Sequence, residues 1–118
     1  MSTNYYANWN IAENVTVRLH IGQFAAGDFM LSGVRFPTWD VWKEFLTHNE
    51  HSLTIEDEYK VLYSARKMID MVETSDRDGR RLTWYEENLP QNIDHEHRGK
   101  GKVWEDNNGF IFLNGEFF

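Results

Sequence analysis

Between residues 15 and 31 the chain combines side chains and glycines that could hold a small ligand. Residues 15–21 alternate between apolar and polar side chains, which predicts a half-buried strand with His20 on its polar face. Glycines let backbone amides approach an anion, and an aromatic ring can stack on a base or an indole. We therefore expect residues 22–28 to form a ligand-binding loop, with a plain hairpin connection as the alternative interpretation. The candidate residues in and beside this loop are His20, Gly22, Phe24, Gly27 and Phe29, of which His20 and Phe29 would flank its opening.

A second cluster, the run DHEHR at residues 94–98, places two histidines two residues apart. On a strand, His95 and His97 would project from one face, where acidic neighbours and His48 or His51 could complete a metal shell. A zinc site needs three or four convergent ligands, and this run guarantees only two. We therefore predict no metal site and no cofactor, and we keep His95 and His97 as candidate ligand-binding residues.

A third candidate is the acidic segment IEDEY, in which Asp57 and Tyr59 share one face of a strand predicted at residues 55–63. A half-buried carboxylate there accepts backbone hydrogen bonds or acts as a general base with a raised pKa, and the structural role is favoured. Asp57, Tyr59 and Trp104 join the candidate ligand-binding residues, Trp104 as a further aromatic face. The chain has no cysteine, no G-x-S-x-G sequence and no glycine-rich phosphate loop with lysine, so we predict that it is not an enzyme.

Length and composition restrict the class of protein. The chain of 118 residues is predicted to form a single domain over residues 1–118. Its 19 acidic residues outnumber the 12 Lys and Arg, and the net charge of −7 predicts no direct binding to nucleic acid. No apolar run reaches the roughly 18 residues of a membrane span, and the N-terminus does not resemble a signal peptide. We therefore expect a cytoplasmic protein without a membrane partner.

Alternating apolar positions predict the strands that must position these candidates. Residues 3–14 are interpreted as an irregular strand or an arm laid on the core, and the second strand of the first hairpin is predicted at residues 29–36. A closing hairpin is predicted from residues 102–105 and 110–113, on either side of the turn DNNG.

Two short amphipathic helices are predicted from apolar spacing and from capping residues. Thr38 is placed to cap a helix that ends near His48, and Ser64 to cap a second helix that ends near Thr74. A short helix over residues 82–91 is a weaker prediction. The buried stripe of the second helix is predicted to be Met68, Ile69, Met71 and Val72. The fold class is therefore α+β, with a small antiparallel sheet of about five or six strands and two short amphipathic helices.

Several short motifs follow one another along nearly the whole chain: TNYY at residues 3–6, LHIG at 19–22, Gly27-x-Phe29, DEY at 57–59, a serine-capped helix from Ser64, and GEF at 115–117. Together they resemble a group of small uncharacterised bacteriophage proteins. Members of that group carry a Cys-x-x-Cys pair before LHIG, whereas this chain has no cysteine, so a metal knuckle is not needed here. The resemblance implies a phage accessory protein located in the host cytoplasm.

Two classes of function fit these observations best. The first is a non-enzymatic anti-defence protein that sequesters a small nucleotide-like host immune signal in an aromatic and histidine-lined pocket. The second is an acidic inhibitor or nucleic-acid mimic that blocks a host defence protein, although its acidic residues are interspersed with Lys and Arg. A small hydrolase that uses Asp57, His95 and His97 is the least supported class. A homo-oligomer is compatible with each of them.

Overall fold

Seven strands form one sheet in the part of the chain that the computed structural model describes, which is residues 2–25, 27–75 and 102–114. The strands are β1 (Ser2–Ala12), β2 (Val15–Ala25), β3 (Asp28–Ser32), β4 (Leu53–Asp57), β5 (Leu62–Tyr63), β6 (Lys102–Glu105) and β7 (Ile111–Asn114). Their order across the sheet is β5-β4-β1-β2-β3-β7-β6, and only β3 and β7 are parallel neighbours. The α+β class is confirmed, but the sheet is mixed and larger than the antiparallel sheet of five or six strands that was predicted.

Two helices cover one face of this sheet. Helix α1 (Trp39–His48) begins after Thr38, whose hydroxyl accepts a hydrogen bond from the Val41 amide. Helix α2 (Ala65–Glu73) begins after Ser64, whose hydroxyl accepts from the Lys67 amide at 3.0 Å. A single 3-10 turn, Glu50–Ser52, joins α1 to β4. Both predicted caps are confirmed, because each hydroxyl satisfies an amide of the first turn that has no partner within the helix.

The main hydrophobic core lies between the helices and the inner face of the sheet. The fully buried side chains with the largest volumes include two tryptophans of α1 and residues of β2, β3 and β7, namely Trp39, Trp42, Ile21, Phe29, Leu31 and Phe112. From α2, Met68 and Val72 are fully buried, whereas Ile69 and Met71 are only partly buried. The predicted buried stripe is therefore confirmed for Met68 and Val72, whereas Ile69 and Met71 are less buried than predicted.

Residues 2–12, for which a strand or an arm was predicted, form β1 near the centre of the sheet. β1 pairs with β2 on one side and with β4 on the other. Between the pairs Tyr5↔Gly22 and Tyr6↔His20 the register shifts, so that Ile21 is an extra residue in β2. Apolar residues of β1 such as Ala7 are buried on the inner face, and the alternate residues carry the polar outer face.

Two predicted strands end earlier than the sequence suggested. β3 ends at Ser32 rather than continuing to residue 36, and the segment 55–63 is a hairpin of β4 and β5 rather than one strand. Lys60, in the turn of this hairpin, has a positive φ of 67°. The turn forms because the Asp57 carboxylate accepts the amides of Tyr59 and Val61, which competes with continued strand pairing.

The predicted closing hairpin is confirmed, with β6 and β7 on either side of the turn after Asp106. One oxygen of the Asp106 carboxylate accepts the amides of Asn108 and Phe110 within the turn. Its other oxygen accepts the amide of Trp39, the first residue of α1, at 2.8 Å. A single side chain therefore shapes the hairpin and fixes the start of α1.

No described helix is both long enough and apolar enough to cross a membrane. The predicted short helix over residues 82–91 lies outside the described residues.

Candidate functional site

The expected ligand-binding loop at residues 22–28 is not present as a loop. β2 continues to Ala25 and pairs with β1 on one side and β3 on the other. Because Ala25 lies opposite Asp28, the connection is a tight turn in which Gly27 has a φ of 82°. Gly22 is needed for packing, since a Cβ atom on it would lie 2.3 Å from the Met30 carbonyl oxygen and 2.6 Å from the Phe29 ring. The prediction of an open binding loop is therefore wrong.

The two phenylalanines assigned to that loop contribute to the core. Phe29 is only 2 % exposed, and its ring centroid lies 5.6 Å from that of Tyr5. Phe24 is partly buried, and its ring centroid lies 6.4 Å from that of Phe29. Phe29 therefore cannot flank an opening to solvent, because a ligand would have to displace the core to reach it.

His20 lies on the outer face of the sheet, as the alternation predicted. Its Nε2 atom is 3.1 Å from the Asn4 side-chain oxygen, and its ring stacks on Tyr6 with 4.9 Å between centroids. Partial burial lowers the pKa of His20, a hydrogen bond to the Gly22 backbone opposes that shift, and the nearby Arg18 guanidinium lowers the pKa further. The imidazole is therefore mainly neutral near pH 7 and offers a hydrogen bond rather than a charge.

Beside His20 the structure has a cleft of about 250 Å³ that the sequence did not reveal. The cleft forms because the pairing of β2 with β3 ends at Gly22↔Leu31, after which residues 33–38 lead away to α1. One wall is therefore β2, and the opposite wall is the segment between β3 and α1. The lining residues are Arg18, Leu19, His20, Ser32, Val34, Arg35 and Trp42, and we call this set the Arg18–Arg35 cleft.

Arg35 gives the Arg18–Arg35 cleft a cationic group, whereas the Arg18 guanidinium is held over β1 by an aromatic contact and an ion pair. The Arg18 guanidinium carbon lies 4.0 Å from the centre of the Tyr6 ring, and its Nη1 atom is 3.2 Å from Glu56 Oε1. Asn8 donates a hydrogen bond to that same carboxylate oxygen, which fixes the orientation of Glu56. Arg35 is exposed and makes no ion pair or side-chain hydrogen bond with any residue that the structure describes. The geometry leaves Arg35 with donors for an anion, whereas Arg18 already donates to the Glu56 carboxylate.

Trp42 provides the rigid floor of the cleft. It is 1 % exposed, and its indole N–H donates to the Ser32 carbonyl at 2.9 Å. The ring of Phe36 packs against it edge-on, with 4.8 Å between centroids. Val34 is an exposed apolar residue on the wall of the cleft. The alternation that placed His20 on the polar face of residues 15–21 applies equally to Arg18, two residues earlier, but no local signal places Arg35 near them.

Trp104, another predicted ligand-binding residue, does not line the cleft. It packs against the segment between β3 and α1 that forms one wall of the cleft. Its indole N–H donates to the Pro37 carbonyl at 3.0 Å, and its ring stacks on Phe112 with 5.7 Å between centroids. Gly33 allows this packing, since a Cβ atom there would lie 2.1 Å from the Trp104 ring. Trp104 therefore fixes the position of the segment that carries Arg35.

Asp57, in β4, and Tyr59, in the turn after it, do not line the cleft and have separate environments. Asp57 is buried, and besides the two amides of its turn it accepts a hydrogen bond from the Tyr63 hydroxyl at 2.8 Å. Burial raises the pKa of Tyr63, and the hydrogen bond to Asp57 raises it further. Tyr59 is exposed. These contacts support the structural role that was favoured for Asp57.

The pKa of Asp57 makes the stability of the fold depend on pH. Burial alone would raise this pKa, but the hydrogen bonds from Val61, Tyr63 and Tyr59 hold it below the ordinary value of about 3.9. The ionised carboxylate therefore stabilises the fold above that value, and this contribution is lost as the pH falls toward the lower pKa of the folded state. We expect urea unfolding midpoints to fall more steeply below about pH 4 for the wild type than for Asp57→Asn. Parallel pH profiles for the two proteins would contradict this assignment.

His95 and His97 lie outside the described residues, so their predicted role in ligand binding stays a prediction. Among residues 2–25, 27–75 and 102–114, no three His, Cys, Asp or Glu side chains converge as a metal site would require. Comparison of the chain with protein-family models, with curated proteins and with solved structures finds no match. The Arg18–Arg35 cleft is therefore the strongest basis for inferring a function.

Proposed function

We propose that this chain is a bacteriophage accessory protein that binds a small nucleotide-like anion without catalysis and thereby sequesters a host immune signal. The observation that carries the proposal is a cleft lined by two arginines, of which Arg35 makes no ion pair or side-chain hydrogen bond with the described residues. A guanidinium group binds a phosphate through two parallel hydrogen bonds, which a lysine cannot do. The phage context comes from the sequence resemblance alone.

The size and shape of the cleft favour a ligand no larger than a mononucleotide. Its volume of about 250 Å³ is just below the range of roughly 300–1,000 Å³ typical of small-molecule sites. Part of the ligand would therefore stay exposed to solvent. Arg35 would bind its phosphate, Arg18 would contribute by exchanging Glu56 for the ligand, and the imidazole of His20 would hydrogen-bond to a polar group. The exposed Val34 would give an apolar contact for a base or sugar.

The acidic-inhibitor alternative is less well supported by the described residues. It relies on an acidic surface that would imitate nucleic acid, but the carboxylates of Glu56 and Glu73 are paired with Arg18 and Lys43. Pairing of this kind reduces the field that a basic partner would experience. No contact in the described sheet favours a mimic over a small-ligand protein.

Titration calorimetry with adenosine 5′-monophosphate, adenosine and inorganic phosphate tests the proposal. We expect the monophosphate to bind more tightly than the nucleoside, and Arg35→Ala to weaken it by about tenfold or more, because a charged hydrogen bond is lost. Arg18→Ala should have a smaller effect, because its guanidinium is already ion-paired with Glu56. Both arginines are exposed, so neither variant should alter the circular dichroism spectrum.

Lys43→Ala is the matched control, since it removes the same charge from an exposed residue of α1 that does not line the cleft. This variant should bind like the wild type. Equal affinity for all three variants, or no binding of any phosphate compound, would refute the Arg18–Arg35 cleft as the site.

A further inference from the structure

The Arg18–Arg35 cleft opens along an edge of β2 that no described strand covers. Three consecutive residues of β2 line it, namely Arg18, Leu19 and His20. Because successive side chains of a strand point to opposite faces of the sheet, a cleft lined by three residues in a row lies at the edge of the strand. Within the described part of the chain, β2 pairs with β1 along its length, but its pairing with β3 stops at Gly22. The backbone of β2 beside the cleft therefore has a neighbouring strand on one side only.

The hydrogen bonds of β1 show which backbone groups of β2 face the cleft. The Glu58 amide donates to the Asn4 carbonyl at 3.0 Å, so Asn4 directs its backbone groups toward β4. Hydrogen-bonding direction alternates along a strand, and the register of β1 with β4 is regular, so Ala7 directs its groups toward β2. Ala7 lies opposite Leu19, which therefore bonds to β1. Because Arg18 precedes Leu19, its N–H and C=O point away from β1, toward the cleft.

We propose that these two backbone groups of Arg18 bind the base of the nucleotide whose phosphate Arg35 binds, an inference that rests on the proposed function. The N–H would donate to a ring nitrogen or carbonyl oxygen of the base, and the C=O would accept from an adjacent N–H of the base. A nucleobase carries a donor beside an acceptor on one planar edge, whereas a sugar phosphate has no such edge. The ligand class is therefore a nucleotide, not a sugar phosphate or free phosphate.

The dimensions of the cleft favour a base over a longer partner at this edge. A peptide strand would use the same backbone groups, but it needs room along several residues of β2. The cleft holds only about 250 Å³, and β3 limits it at one end, where Leu31 pairs with Gly22. Val34, which lines the cleft and is 69 % exposed, offers an apolar contact to the face of a base whose edge lies on β2. The edge of the base, its face and the phosphate therefore each have a separate contact.

Titration calorimetry of the wild type with a graded set of monophosphates tests whether the base is bound. Adenosine 5′-monophosphate should bind about tenfold more tightly than purine riboside 5′-monophosphate, which keeps the ring acceptor but lacks the amino donor. Ribose 5-phosphate, which has no base, should bind more weakly still. Equal affinities for all these compounds would overturn the assignment of the base and leave the phosphate site in place. No binding of any of them would refute the proposed function, and with it the role of the Arg18 backbone.

A proline at residue 18 removes the backbone donor itself. Arg18→Pro and Arg18→Ala both lack the guanidinium group, and only the alanine variant keeps the backbone N–H. A strand edge tolerates proline where the missing N–H faces away from the neighbouring strand, so both variants should keep the wild-type circular dichroism spectrum. Adenosine 5′-monophosphate should bind about tenfold more weakly to Arg18→Pro than to Arg18→Ala, whereas ribose 5-phosphate should bind equally to both. Equal binding of the nucleotide to the two variants would overturn the proposal.

Thr16→Pro is the matched control for a proline on this edge. Thr16 lies two residues before Arg18, so its N–H faces the same way, but Thr16 does not line the cleft. This variant should bind adenosine 5′-monophosphate like the wild type. A loss of affinity equal to that of Arg18→Pro would show that the proline acts through the strand, and it would overturn the assignment of the base to the Arg18 backbone.

Discussion

Replacing Gly22 with alanine is expected to lower the free energy of unfolding by about 3 kcal/mol. The added Cβ atom would lie 2.3 Å from the Met30 carbonyl oxygen and 3.0 Å from the Leu31 Cα atom, both of which belong to the backbone of β3. No rotamer change can relieve a contact with backbone. β3 must therefore move away from β2, which also disturbs its parallel pairing with β7.

Urea unfolding followed by circular dichroism measures this cost. Thr16→Ala is the matched control, because Thr16 is an exposed residue of the same strand whose hydroxyl donates to the Asn10 side chain at the surface. The control should change stability by about 0.5 kcal/mol or less. A Gly22→Ala protein with the wild-type midpoint would show that β2 and β3 are further apart than described.

The role of Gly22 also determines how binding can be tested. A bulky residue at Gly22 would unfold part of the sheet, and any loss of binding would then report on folding. Arg18 and Arg35 are exposed and can be truncated without creating a cavity. Loss of affinity in those variants, with stability unchanged, reports on the cleft itself.

Features set by neighbouring residues were predictable from the sequence. The helix caps at Thr38 and Ser64 depend on a hydroxyl and an amide three residues apart, and both are present. The alternation in β2 placed Leu19 and Ile21 in the core and His20 on the opposite face. Such signals are reliable because the contacts that produce them are local.

Features set by distant contacts were not predictable from local patterns. Gly22 and Gly27 suggested an exposed loop, but Gly22 is required because β3 approaches its backbone closely. Local sequence does not distinguish a glycine that a loop needs from a glycine that close packing needs. The predicted strand at residues 55–63 failed because the Asp57 side chain bonds to its own turn. The cleft brings together Arg18 and Arg35, which are seventeen positions apart in the sequence. Their proximity depends on where the pairing of β2 with β3 ends.

Replacing Trp42 with alanine is expected to cost about 3–5 kcal/mol, a large share of the stability of a domain of this size. The variant would leave a cavity between α1 and the sheet, and the Ser32 carbonyl would lose the indole donor that lies 2.9 Å away. The aromatic contacts with Phe36 and Phe45 would be lost as well. Thermal unfolding should therefore show either a much lower melting temperature or no cooperative transition.

Trp42→Phe separates the packing of this side chain from its hydrogen bond. It keeps an aromatic ring in the core and removes the donor to Ser32, so we expect a loss of about 1–3 kcal/mol with a cooperative transition retained. Because Trp42 is the floor of the Arg18–Arg35 cleft and not a source of charge, the folded Trp42→Phe protein should still bind adenosine 5′-monophosphate within a few-fold of the wild type. A stable Trp42→Phe protein that binds no phosphate compound would mean that the indole itself contacts the ligand.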